Sequence, residues 1–141
     1  MSRTRRASVR ALAKINLDLR VLGKRPDGYH EIRTVFQTIS LGDSLELAYQ
    51  RGPRSSIELD DPLGIKDNLA AKAAELAMEA MGASGHVKLR LRKQIPMGAG
   101  LGGGSSDAAA VLLALPVLAG RSIPLTRLLE LGTALGSDVP F

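Results

Sequence analysis

The stretch Pro96-Met97-Gly98-Ala99-Gly100-Leu101-Gly102-Gly103-Gly104-Ser105-Ser106 combines residue types suited to holding an anion. Glycine lets the backbone take positive φ and approach a ligand closely. Ser105 and Ser106 are expected to cap a following helix and leave its first N–H groups aimed at the loop. Those donors, with the positive end of the helix dipole, favour negative charge, and a phosphate chain is the natural occupant. A flexible linker is the alternative. Against it, Pro96 stiffens the entry, the serine pair closes the exit and both flanks are periodic. No Gly-Lys-Ser/Thr ends the run, so it is not a Walker A loop. The preceding strand is basic and amphipathic, unlike the apolar strand of a dinucleotide fingerprint.

Three further places offer reactive groups. Lys14 and Asn16 stand two apart, so on extended chain both project from one surface. A solvated pair on the outer face of a sheet is the other possibility. Pro26-Asp27-Gly28 is a turn that delivers Tyr29 and His30 side by side. A ring can stack on a base and an imidazole can hydrogen-bond a base edge; equally, Tyr29 can cover a strand end with His30 solvated. Asp138 can serve as a general base or bond its own backbone ahead of Pro140.

The elements that must position these groups follow from periodicity. Ala7 to Leu12 and Leu17 to Leu22 read as two strands. Ile32 to Ser40, Ser44 to Tyr49 and Ser56 to Leu59 follow, with a turn at Leu41-Gly42-Asp43 and antiparallel connections because the links are too short for helical crossovers. Asp67 or Asn68 caps a helix that reaches Met81 and stops at Gly82. His86 to Lys93 alternates apolar with basic residues, a half-buried strand feeding the glycine loop. Ala108 to Leu115 suits a helix buried on most sides, which Pro116 is expected to end or kink. Leu125 to Leu135 makes a third helix capped by Gly136. Strands followed by helices give an α+β fold with a mixed, mainly antiparallel sheet and helices on one side.

Composition narrows the function classes. A chain of 141 residues, 45% hydrophobic, can bury one core. With 3% aromatics that core is aliphatic, and without cysteine there is no disulfide or thiolate chemistry. Two histidines argue against a structural zinc site, and a reducing, cytoplasmic compartment is expected. No apolar run reaches a bilayer span. Arg3, Arg5, Arg6 and Arg10 form a basic arm with no apolar signal region after it. The net charge of +5 favours anionic partners, which covers nucleotides, phosphorylated metabolites and nucleic acid alike.

Taken together, Ala13-Lys14-Ile15-Asn16-Leu17, Arg25-Pro26-Asp27-Gly28-Tyr29-His30, Pro96 through Ser106 and Gly136-Ser137-Asp138-Val139-Pro140-Phe141 resemble the N-terminal half of the 4-diphosphocytidyl-2-C-methyl-D-erythritol kinases. These belong to the GHMP superfamily of small-molecule kinases, whose N-terminal fold resembles a domain of ribosomal protein S5. The resemblance implies transfer of the γ-phosphoryl group of ATP, with Mg2+ expected, to a hydroxyl of the methylerythritol substrate in the non-mevalonate route to isoprenoid precursors. It casts Asp138 as catalytic base and Lys14 as its partner. Asn16 then lines the substrate site and Tyr29 and His30 hold the cytosine. Pro96 through Ser106 cradle the nucleotide, with Asn68 and Lys93 as further nucleotide-side contacts; no metal ligand is assigned. Residues 1–141 would be the ATP-binding domain, and the C-terminal domain of the family would lie beyond Phe141. This portion by itself is then expected to turn over slowly or not at all.

Two other functions compete. A basic nucleic-acid-binding module would use Arg3 to Arg10 with Lys88, Arg90, Arg92 and Lys93, but aromatics are too few for base stacking. A GHMP kinase acting on another small alcohol would not explain Tyr29-His30 after Pro-Asp-Gly. A small-molecule substrate is therefore expected, rather than nucleic acid or a membrane.

Overall fold

Alternation of inward apolar and outward polar residues builds the sheet of this chain. The computed structural model describes residues 3–24, 26, 30–98, 100–136 and 138–140. Four strands, β1 (Arg5–Lys24), β2 (His30–Arg51), β3 (Ser56–Asp60) and β4 (Gly85–Arg92), form one sheet in the order β1-β2-β4-β3. The helices are α1 (Leu69–Met81), α2 (Gly103–Ala119) and α3 (Leu125–Leu135). Val87, Leu89 and Leu91 of β4 are fully buried, and Leu45, Leu47 and Tyr49 of β2 lie beside them. Burying each such aliphatic side chain is worth about 1.5–3 kcal/mol. Arg6, Ser8, Glu46, Lys88 and Arg90 take the alternate positions on the uncovered face.

β1 and β2 run antiparallel from Arg5 opposite Tyr49 to Lys24 opposite His30. Two strands were expected on each side of this hairpin, and the structure instead has one long strand on each. The pairing slips between Leu12 and Lys14, between Asn16 and Asp18 and between Val21 and Gly23. Such slips bend a strand without ending it. The turn expected at Leu41-Gly42-Asp43 is likewise absent, because Gly42 lies against Leu12 inside the ladder. A Cβ at Gly42 would meet the Leu12 side chain at 3.0 Å, so glycine is needed for close approach here and not for a turn.

The connection after β3 also differs from the expected pattern. β3 does not return to β2 but passes through α1 and pairs in parallel with β4. A parallel neighbour requires a long crossover, and α1 supplies it. Asn68 caps α1, its Oδ1 accepting the Ala70 N–H at 2.9 Å, and Gly82 closes the helix at φ 59°.

Pro116 does not end α2, which runs on to Ala119 and is capped by Gly120. An internal proline costs about 3 kcal/mol locally. Ala108, Val111, Leu112, Leu115 and Leu118 bury on both sides of it, and that packing outweighs the local preference. Among the described residues, no helix is long and apolar enough to cross a membrane.

Candidate active site

The glycine loop joins β4 to α2, and both of its ends are fixed by residues distant in sequence. Asp43 is fully buried in β2. Its carboxylate accepts the N–H of Gln94 at 2.7 Å, the N–H of Ile95 at 2.9 Å and the Lys93 ammonium at 2.5 Å. The chain leaving β4 is thereby tied to the neighbouring strand just before Pro96. At the other end of the loop, Lys93 Nζ also donates to Asp107 Oδ2 at 3.0 Å. One ammonium joins strand, loop and helix.

The glycines pass between two lysines. At Gly102, φ is 68°, and an added Cβ would lie 3.1 Å from Cγ of Lys14. The Leu101 carbonyl next to it accepts the Lys14 backbone N–H at 2.9 Å. At Gly103 an added Cβ would lie 2.9 Å from Lys93 Nζ and 3.0 Å from the Ile95 side chain. Glycine is required at the first by dihedral and contact, and at the second by contact alone.

Gly102, not Ser105 or Ser106, occupies the N-cap of α2, and no side chain caps that end. The serines lie within the first turn, because the helix begins three residues earlier than capping by Ser105 would require, and four earlier than capping by Ser106. The first helical hydrogen bond runs from Ser106 N–H to Gly102 C=O at 2.9 Å. The N–H groups of Gly103, Gly104 and Ser105 therefore precede the ladder, as the opening donors of a helix do. Donors of this kind, at the positive end of a helix dipole, favour a negative charge.

Two cavities meet at Gly102. The first, about 270 Å³, is lined by Asn68, Lys93, Pro96, Met97, Gly98 and Asp107, together with other residues of the loop. The second, about 100 Å³, is lined by Lys14, Phe36, Ser105, Ser106 and Asp138. Lys14 comes from the first strand and Asp138 from the last turn of the chain, yet they border one hollow. Lys14 Nζ donates to Asn16 Oδ1 at 2.8 Å and sits 4.7 Å from the centre of the Phe36 ring. The slips flanking this stretch of β1 set the two side chains together, as bulges beside functional sites commonly do.

Electrostatics separate the two lysines further. Burial works against the Lys93 ammonium, but hydrogen bonds and charge attraction from Asp43 and Asp107 hold its pKa above the usual lysine value. Burial also opposes ionisation of Asp43, and is more than offset by the neighbouring Asp107 when that carboxyl carries a proton, by the Ile95 and Gln94 amides and by Lys93, so its pKa is lowered. Asp107 goes the other way. Burial and the neighbouring Asp43 push it up to about 7, against the pull of Lys93. Two carboxylates on one ammonium cannot both ionise freely.

Asn68 borders the first cavity, with Oδ1 committed to the α1 cap and Nδ2 donating to Asp61 at 3.4 Å. His30 opens β2 opposite Lys24. Tyr29 and Ala99 lie outside the described residues. Two contributors were not singled out from the sequence. Asp43 was hidden by the supposed turn, although it falls in phase with Leu45, Leu47 and Tyr49, and that phase was the available signal. Phe36 gave none, because its meeting with Lys14 depends on the register of the hairpin.

The class now follows from comparison. Residues 68–141 match the GHMP kinases N terminal domain. The chain belongs to the GHMP kinases, of which this fold, with its glycine loop leading into α2, is the N-terminal domain.

The particular likeness is narrower. The chain is 67% identical, over all its 141 residues, to the 4-diphosphocytidyl-2-C-methyl-D-erythritol kinase of Solibacter usitatus, of which it covers 45%. It is 47% identical over 133 residues to the enzyme of that name from Ralstonia pickettii, covering 93% of this chain and 46% of that one. A crystal structure of 4-(cytidine 5'-diphospho)-2C-methyl-D-erythritol kinase superposes with a TM-score of 0.81 at 47% identity, over 96% of this chain and 48% of the other. The chain thus spans just under half the length of these relatives.

Proposed function

We propose that this chain is the N-terminal, ATP-binding portion of a kinase that phosphorylates a hydroxyl of 4-diphosphocytidyl-2-C-methyl-D-erythritol. The single observation that carries this is the convergence of Lys14, Asp138 and the first turn of α2 on one hollow beside Gly102. The names of the relatives support the substrate.

Phosphoryl transfer is mostly a matter of positioning and of stabilising charge on the moving group. The N–H groups of Gly103, Gly104 and Ser105 would donate to phosphate oxygens, aided by the dipole of α2. Asp138 would accept the proton of the attacking hydroxyl. The hydroxyl oxygen bonds to the γ-phosphorus as the bond to the bridging oxygen breaks, and ADP leaves. Lys14, oriented by Asn16, would offset negative charge on the transferring group. Tyr29 and His30 would hold the cytosine, Asn68 would serve the nucleotide side, and Lys93, bound to Asp43 and Asp107, would hold in place the loop that cradles the nucleotide. Among the described residues no three His, Cys, Asp or Glu gather as a metal cage. That suits Mg2+, which keeps several waters and binds chiefly through phosphate oxygens; when bound it shields phosphate charge.

The outer sheet face gives the nucleic-acid alternative little support. Arg90 pairs with Glu46 and Asp60, and Arg92 with Asp60, so the charges of these two arginines are balanced on the sheet face.

The test is separate titration of this chain with ATP and with the cytidine substrate. A transfer assay on the chain joined to the remaining half of the Solibacter usitatus relative completes it. Binding of both ligands and transfer by the joined protein are expected, with weak or no turnover by this portion alone. Failure to bind ATP would overturn the assignment.

A further inference from the structure

We propose that Asp107 is a positioning residue of the nucleotide loop that takes up a proton when a polyphosphate binds, withdrawing its own negative charge from behind the phosphates. This rests on the ATP-binding role given to the loop above. The balance is simple: the carboxylate gains one proton from solvent, and no other bond forms or breaks.

The geometry begins with a count of charge. Asp43 and Asp107 are almost wholly buried and share the single ammonium of Lys93, itself 5% exposed. Fully ionised, the cluster carries one uncompensated negative charge. Asp107 Oδ1 is buried and, among the described residues, has no hydrogen-bond partner. The imbalance therefore falls on Asp107 rather than on Asp43, whose carboxylate has two backbone donors as well as Lys93. Asp107 also lines the loop cavity and lies one turn along α2 from the open amides of Gly103 and Gly104.

A triphosphate brought to those amides adds several negative charges close to this buried one. In a poorly solvated site like charges repel strongly, so the carboxyl whose charge is least compensated responds by binding a proton. Other charged groups around the loop do not remove the effect. Asp67, before α1, borders the same cavity and adds to the repulsion, while Lys14 on β1 lies across Gly102. Because Asp107 titrates near neutrality, at about 7, a modest push moves it within the range of ordinary assays. The proton would leave Lys93 held by Asp43, so the loop stays anchored as the charge is withdrawn.

The experiment compares ATP binding to wild type and to Asp107→Asn from about pH 6 to about pH 8. Calorimetry in buffers of different ionisation enthalpy counts the protons taken up. The titration of ATP itself is common to both proteins and cancels. The wild type is expected to take up a fraction of a proton near neutrality and to lose roughly fivefold more affinity across this range than the variant, as an upward move of about one pKa unit on binding requires. Parallel pH profiles with equal proton uptake would overturn the proposal. A second measurement needs no variant: NMR titration of the Asp107 carboxyl in the wild type, free and saturated with ATP. An upward move of its midpoint supports proton uptake, and an unmoved midpoint overturns it. If the wild type binds no ATP at any pH, the loop's assignment itself falls, which is a distinct outcome.

Discussion

Two lysines flank consecutive glycines of one loop, and their surroundings are opposite in kind. Lys14, against Gly102, faces a hollow with Asp138 and is held by an amide oxygen and an aromatic face. Lys93, against Gly103, is sealed beneath the loop between two carboxylates. An ammonium with weakly held partners can turn toward a substrate. One fully engaged by buried carboxylates is part of the frame, and removing it leaves their charges without compensation. The role of a lysine beside this glycine loop is therefore not defined by its residue type.

The strongest way to break this contrast is to exchange each lysine for methionine. Lys14→Met, in the joined protein, is expected to lower turnover on the order of a thousandfold, as loss of a charge-stabilising group does, with the unfolding midpoint little changed. A marked loss of stability with turnover preserved would reverse the roles. Lys93→Met should show the converse, destabilisation of about 3 kcal/mol in denaturant unfolding from stranding the Asp43 and Asp107 charges. Replacing the glycines sharpens the same boundary. Gly102→Ala forces a side chain into positive φ as well as into Lys14, and about 1–3 kcal/mol is expected. The smallest effect belongs outside the loop: Arg90→Ala, on the exposed sheet face, should cost under about 1 kcal/mol, and the cost should shrink with added salt.

Acidity tests the inner cluster from a different direction. The Asp43 pKa is lowered on folding, so its contribution to stability is present above its unfolded value of 3.8 and is lost as pH falls through the folded value. Asp107 has the opposite sign. Its pKa rises from 3.8 to about 7, so its contribution is full below 3.8 and is lost as pH rises through about 7. Denaturant unfolding of wild type and Asp107→Asn should therefore show the variant gaining relative stability between about pH 4 and about pH 7, and levelling off above that. A difference that stays constant with pH would mean that Asp107 titrates alike in the folded and unfolded chain.

Much of the framework was legible before any coordinates. The alternation from His86 to Lys93 gave β4, the apolar spacing after Asn68 gave α1, and the bounds of α3 at Leu125 and Leu135 agree with the structure. Local pattern sufficed because each element has one buried face and a distinct punctuating residue. Errors fell where a local signal had a tertiary cause. Gly42 looks like a turn but permits close packing against Leu12. Pro116 looks like a helix end but is carried through by the core around it. Ser105 and Ser106 look like caps but follow a glycine cap.

The sequence by itself determined that a glycine loop would join an amphipathic strand to a buried helix, because periodicity and glycine placement are properties of neighbouring residues. Only the tertiary structure decided which charges face that loop. Asp43 lies far along the chain from Lys93, as Lys14 does from Asp138, and nothing in their local spacing couples them. Strand register and helix packing set those distances, and burial then fixes which carboxylate keeps its charge.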